Sequence, residues 1–198
     1  MTKPIAEHCL RNQQPIAEAL SPYLAGGGRW LELGSGTGQH GVYIASRHAG
    51  VVWQLSDLED AQPGLLAWQS EAALDNLPPP RILDVTRDSV PSGDFDGVFS
   101  ANTVHFVGWP IVRALFDRIA EALRPGGYAA LYGPFNREQR FTSEGNAALD
   151  EWLRSRDPDS GIKDEADVIE CAAERGLRFH DVQDMPANNR LLVLRQCS

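Results

Sequence analysis

Two hydrophobic periods alternate along this chain. Short apolar runs bounded by glycine, proline or polar clusters stand at 29–33, 51–55, 81–84, 95–101 and 128–132, the pattern of buried strands. Between and around them, apolar residues three and four apart mark helices near 13–24, 40–47, 61–76, 109–123, 143–156 and 164–175. Pro78–Pro80 closes the third helix, since proline cannot continue one, and the Pro125-Gly126-Gly127 turn closes the fourth. The end of the chain breaks the alternation: 177–182 and 190–194 read as two strands joined by a Pro-Ala-Asn-Asn turn. Alternating strands and helices predict an α/β fold, a Rossmann-like three-layer sandwich whose seven-stranded sheet is mostly parallel with an antiparallel last strand. No repeat or linker divides the pattern, so one domain over 1–198 is expected. In such sheets ligands bind beyond the carboxyl ends of the strands at the switch point, which directs attention to the loops after the first four strands.

The first of those loops is Glu32-Leu-Gly-Ser-Gly-Thr-Gly38, directly after a strand and before a helix. Gly34 permits the tight turn, Gly36 lets backbone approach a ligand, and Gly38 allows close packing at the helix start; Ser35 and Thr37 lie between them. A dinucleotide loop favours G-x-G-x-x-G around a pyrophosphate. Here the third glycine comes one position early and Gln39 stands where glycine is wanted. Glu32, two residues before the first glycine, would repel a pyrophosphate and attract the ammonium of an amino-acid moiety. Asp57 ends the second strand about 20 residues later, the distance at which a carboxylate accepts ribose hydroxyls. The neighbouring Glu59 and Asp60 allow the simpler reading of a solvated helix cap. Asp84 follows the third strand, where a helix cap or turn is the plain alternative.

The motif 32–38 resembles the first motif of class I S-adenosylmethionine (SAM)-dependent methyltransferases, without departure. That resemblance implies SAM as cofactor. It implies Glu32 near the methionine end and the loop 34–38 beside the cofactor. Asp57 and Leu58 would then lie at the ribose, Asp84 and Val85 at the adenine, and Ala101 and Asn102 past the sulfonium. More broadly, the chain resembles a poorly characterised methyltransferase-like family of unknown function, found in bacteria and animals. The residues that carry this are Arg11-Asn-Gln-Gln-Pro-Ile16, Trp53-Gln-Leu-Ser-Asp57, Ala101-Asn-Thr-Val-His-Phe106, Tyr132-Gly-Pro-Phe-Asn136 and Gly161-Ile-Lys-Asp164. That family more often has proline where this chain has Leu55.

Composition narrows the acceptor. With 42% hydrophobic and 23% charged residues the chain is ordinary for a globular protein. No apolar run approaches the roughly 20 residues that cross a bilayer, and no membrane partner is expected. The first 20 residues lack a secretory pattern, and Cys9, Cys171 and Cys197 are scattered, so a cytoplasmic protein with reduced thiols is expected. A net charge of −9 argues against nucleic acid and towards a small-molecule acceptor.

Methyl transfer is an in-line displacement that rests largely on orientation, with a base needed only for a proton-bearing acceptor. His105 is the candidate base, because imidazole titrates near neutrality; its competing reading is a loop histidine bonded to a backbone carbonyl. Asn102 is the candidate to hold acceptor or cofactor. Arg11 and Asn12, placed just before the first helix, could fold over the cofactor, Arg11 pairing with its carboxylate. Tyr132 and Asn136 would face the acceptor, with Trp109, Phe135 and Phe141 as apolar walls. His8, His40, His48 and His180 show no ligand spacing, and no metal is expected. Two other classes stay open: an NAD(P)-dependent oxidoreductase, and a SAM-binding fold without turnover.

Overall fold

The period-two runs assemble into one seven-stranded sheet in a computed structural model that describes residues 3–197. The strands are β1 (Gly28–Leu33), β2 (Val51–Asp57), β3 (Arg81–Ile82), β4 (Phe95–Ala101), β5 (Leu123–Gly133), β6 (Leu177–Met185) and β7 (Asn189–Gln196). Their spatial order is β3-β2-β1-β4-β5-β7-β6. All neighbouring pairs from β3 to β5 are parallel, and β7 runs antiparallel to both β5 and β6. The final strand therefore enters from the opposite end, as the strand–turn–strand pattern predicts. Chain order reverses between β1 and β4, which opens the crevice at their carboxyl ends.

Both faces of the sheet are covered because its central strands are apolar on both sides. One face packs Leu31, Leu33, Val98 and Leu131 against α4 (Trp109–Ala122) and α6 (Glu165–Ala173). The other packs Trp30, Trp53, Phe99 and Val193 against α1 (Glu7–Leu24), α2 (Gln39–Ala45) and α3 (Gln62–Ala72). Trp30 and Trp53 face each other across the β1–β2 register, their rings stacked at 5.9 Å. α5 (Glu144–Arg156) precedes α6 and is capped by Ser143, whose Oγ accepts from Asn146 N–H.

Several boundaries differ from the pattern: α3 ends at Ala72, with Ala73 left-handed, before the Pro78–Pro80 run is reached, and two other boundaries differ by five or more residues. α1 begins at Glu7, six residues before the expected 13, and runs through Pro15. Proline removes one backbone donor there, but burial of Cys9, Ile16, Leu20 and Leu24 along one face holds the helix together. β5 begins at Leu123 and includes the Pro125–Gly127 turn as a bulge, with Leu123 opposite Phe95 and Tyr128 opposite Gly97. No helix among the described residues is long and apolar enough to cross a membrane.

Candidate functional site

The first half of the glycine loop is tied to β2. Gly34 N–H and Ser35 N–H both donate to Ser56 O, at 3.1 and 3.0 Å, and Ser56 Oγ donates to Glu32 O at 2.6 Å. Gly34, Gly36 and Gly38 all take positive φ, 73°, 57° and 85°, which residues with a Cβ adopt only under strain. A Cβ on Gly34 would stand 2.8 Å from Thr103 Oγ1, whereas one on Gly36 would meet nothing within 4 Å. Gly34 is thus held by close packing, and Gly36 borders open space.

That space comprises two chambers meeting at Gly34. The larger, about 350 Å³, is lined by Leu33, Gly34, Asp57, Leu58, Leu83–Thr86, Thr103, Val107, Ile111 and Leu115. It is mostly apolar with carboxylates at its rim, and its size suits a small ligand. The smaller, about 180 Å³, lies between Gly34–Thr37 and Ala101–Asn102 on one side and Ala6, His8, Cys9 and His40 on the other.

Asp57, at the end of β2, accepts from Gly36 N–H at 2.6 Å and from Leu58 N–H at 2.7 Å. Burial raises its pKa, against these two bonds, which favour the ionised form. Asp84 is oriented by Thr86, which donates to it from N–H at 2.9 Å and from Oγ1 at 2.6 Å. Those bonds lower its pKa. It is a turn residue, not a helix cap, and its turn forms part of the chamber wall.

Several expected residues stand elsewhere: Gly38 packs against Leu65 and lines neither chamber, nor do Asn12, Tyr132, Asn136, Trp109, Phe135 and Phe141. Glu32 is 1% exposed and lines neither chamber. Alternation along β1 turns it beneath the loop, where its carboxylate accepts from Trp53 Nε1–H at 2.8 Å, and burial pushes its pKa up to about 8. Arg11 lies inside α1, not before it, and its exposed side chain borders neither chamber. His105 is buried behind the chambers. Its Nδ1 would be 3.4 Å from a Cβ on Gly133, and Asn102 Oδ1 would be 3.8 Å from the same point. Burial first, and the charge of Lys163 second, bring His105 down to about 4, so it does not titrate near neutrality. Neither does its ring bond a backbone carbonyl; His105 contributes its own carbonyl to Gly161 N–H at 2.9 Å.

Asn102 does line the smaller chamber. It takes φ 56°, a left-handed turn that asparagine tolerates better than most residues, and its N–H donates to Tyr132 O at 2.7 Å.

The pattern gave no sign of the cover over the loop. Gln39 Oε1 accepts from Ala6 N–H at 2.6 Å and from Thr37 Oγ1–H at 2.9 Å, pinning the entry of α1 across the glycines. Gln39 Nε2 is left buried without a partner. His40 Nε2–H donates to Asn12 Oδ1 at 2.7 Å; burial lowers this histidine to about 4, leaving it neutral. Further out, Lys3 packs 3.6 Å over the Trp68 ring, and Trp68 Nε1–H donates to Pro4 O at 2.7 Å. Among the described residues, no group of three or more His, Cys, Asp or Glu side chains could hold a metal.

This sheet order, with its crevice at the β1–β4 reversal and its glycine loop after β1, is the Rossmann-like architecture found in methyltransferases. The structure matches that of mitomycin 7-O-methyltransferase at a TM-score of 0.85 and 16% identity, over 96% of this chain and 54% of that one. It matches human N-acetylserotonin methyltransferase in complex with SAM at 0.80 and 15%, over 97% and 53%. It also matches an O-methyltransferase family 2 protein from Planctomyces limnophilus in complex with apigenin at 0.77 and 13%, over 93% and 61%. The chain thus spans little more than half the length of these structures. A family model described as "Protein of unknown function (DUF938)" matches residues 3–196, and the chain belongs to that family.

Proposed function

We propose that this protein is a SAM-dependent methyltransferase acting on a small-molecule acceptor. The observation that carries this reading is the pair of chambers meeting at Gly34. Asp57 and Asp84 at the larger one suit a nucleoside, and the smaller one is closed over by the entry of α1. An amino-acid tail fits the smaller chamber better than a second nucleotide, and this favours SAM over NAD. The open ground beside Gly36 and the Asp57 carboxylate fit a ligand with ribose hydroxyls at one end and an amino-acid tail at the other.

When bound, SAM supplies an electrophilic methyl on a cationic sulfonium. The chain's own residues would bind and orient. Asp57 would accept the ribose hydroxyls, and Leu58 and Val85 would give the adenine apolar contact while Asp84 accepts from its amino group. Gly34–Thr37 would pass backbone beside the tail. Ala101 and Asn102 would border the reacting centre, with the Asn102 amide available to the acceptor. A histidine brought down to about 4 is a poor general base for an alcohol, and His105 lines neither chamber. The apolar walls from Leu83, Ile111 and Leu115 would shed water once a ligand fills the chamber, which would strengthen the polar contacts inside.

Isothermal calorimetry tests the reading. Micromolar binding of SAM and S-adenosylhomocysteine (SAH), with none of NAD, is the expected result; NAD binding without SAM binding would overturn it.

A further inference from the structure

The segment Gly161-Ile162-Lys163-Asp164 lies outside both chambers, yet it bonds two carbonyls of the loop after β4. Lys163 is only 6% exposed. Its ammonium donates to Val107 O at 2.6 Å and to Gly161 O at 2.8 Å. Gly161 N–H in turn donates to His105 O at 2.9 Å. Two of the carbonyls in the loop after β4 are therefore held from one side by one short segment. That loop forms the wall common to both chambers: Asn102 borders the smaller, and Thr103 and Val107 border the larger.

The segment is itself anchored. Ile162 N–H donates to Asp150 Oδ1 at 2.6 Å, and Asp150 Oδ2 accepts from Arg154 Nε–H at 2.7 Å, fixing it to α5. Asp164 accepts from Ala166 N–H at the start of α6 and from Gln139 N–H at 2.6 Å. Asn136 N–H donates to Lys163 O at 2.9 Å, which adds the loop after β5. Gly161 takes φ 121°, and a Cβ there would stand 2.7 Å from both Asp150 Oδ1 and an Arg154 nitrogen; glycine is required for so close an approach.

We propose that Lys163 is a positioning residue, the tie through which this segment holds the loop after β4, with His105 and Val107, against the crevice. An ammonium in so enclosed a place is costly unless several acceptors receive it. Two carbonyls do, and Asp150, Asp157 and Asp159 favour its charge, while burial and Arg154 bring it down to about 8. A hydrophobic residue of similar volume would fill the space without tying the loop. The charge of the ammonium also favours the neutral form of His105. That the loop is held for methyl transfer rests on the function proposed above; that Lys163 holds it does not.

Proton NMR of the His105 ring, assigned with His105→Gln, tests the tie without any acceptor. In the wild-type protein the resonance should inflect once near pH 4 and again near pH 8, as Lys163 loses its charge. Glu32 also titrates near 8, so the second inflection must survive Glu32→Gln and vanish in Lys163→Met. In Lys163→Met the His105 midpoint should rise by about half a pH unit, and SAH affinity should fall by about threefold or more as the wall loosens. A folded Lys163→Met protein with wild-type His105 titration would overturn the proposal. Should that variant not fold, the absence of an alkaline inflection in the wild type overturns it equally. Failure of SAM and SAH to bind at all would sink the proposed function while leaving the His105 titration to decide this point.

Discussion

Glu32 shows what one side chain's surroundings do to its chemistry. Enclosed under the glycine loop, its carboxyl is raised to about 8 by burial, with the charge of Asp57 adding to the effect and the Trp53 and Ser35 bonds opposing it. A group whose folded pKa lies above its unfolded value of 4.5 contributes stability that is complete below about 4.5 and lost as pH rises through about 8. His40 and His105 act in the opposite sense. Burial lowers both from 6.5 to about 4, so their contribution is complete above about 6.5 and lost as pH falls through about 4. Between 4.5 and 6.5 the two histidines outweigh the single glutamate, and above 6.5 Glu32 acts alone. Stability from these groups should therefore peak near pH 6.5. Urea unfolding should show a loss on the order of 2 kcal/mol between pH 6.5 and 8. Glu32→Gln keeps an acceptor for the Trp53 indole and should remove most of that loss. Equal losses in both proteins would mean that Glu32 is ionised at neutral pH.

At the scale of elements, the glycine loop separates conformational strain from ligand space. Gly36 and Gly93 both take positive φ, 57° and 64°, and a Cβ on either would meet nothing within 4 Å. Gly36 borders the smaller chamber, and Gly93 sits in the turn leading into β4, at the other end of the sheet. Alanine at either site should cost about 1–2 kcal/mol in backbone strain. Only Gly36→Ala should also weaken SAH, by about tenfold, a loss of roughly 1.4 kcal/mol. Matched affinities for the two variants, measured by calorimetry, would show that the chamber beside Gly36 is not used. The strand and helix order was legible because period two and period 3.6 are local signals. The start of α1 was not, because its first turns carry Glu7, His8 and Arg11, and only tertiary burial of Cys9 and Ile16 reveals the helix. The long, bulged β5 was hidden for a related reason: a Pro-Gly-Gly sequence reads as a turn, and pairing with Phe95 is a long-range fact.

Across the whole molecule, the candidate site divides the same way. Gly34–Thr37, Asp57, Leu58, Asp84, Val85, Ala101 and Asn102 stand on the crevice; spacing along a strand–loop–helix pattern pointed to the glycines and Asp57, and the methyltransferase resemblance to Leu58, Val85 and Ala101. The cover made by Ala6, His8, Cys9 and His40, and the apolar wall of Leu83, Ile111 and Leu115, share no motif and meet only when the layers close. Glu32 was legible as an acid before the glycines, but not as a sealed one; that depends on β1 pairing with β2 and bringing Trp53 to it. We propose that a single ligand spans both chambers across Gly34. A crystal structure with SAH tests it most directly. The adenine is expected against Leu58 and Val85, the ribose hydroxyls on Asp57, and the amino-acid tail beyond Gly36 beneath Ala6–Cys9. SAH bound elsewhere, or a tail pointing out of the smaller chamber, would contradict it.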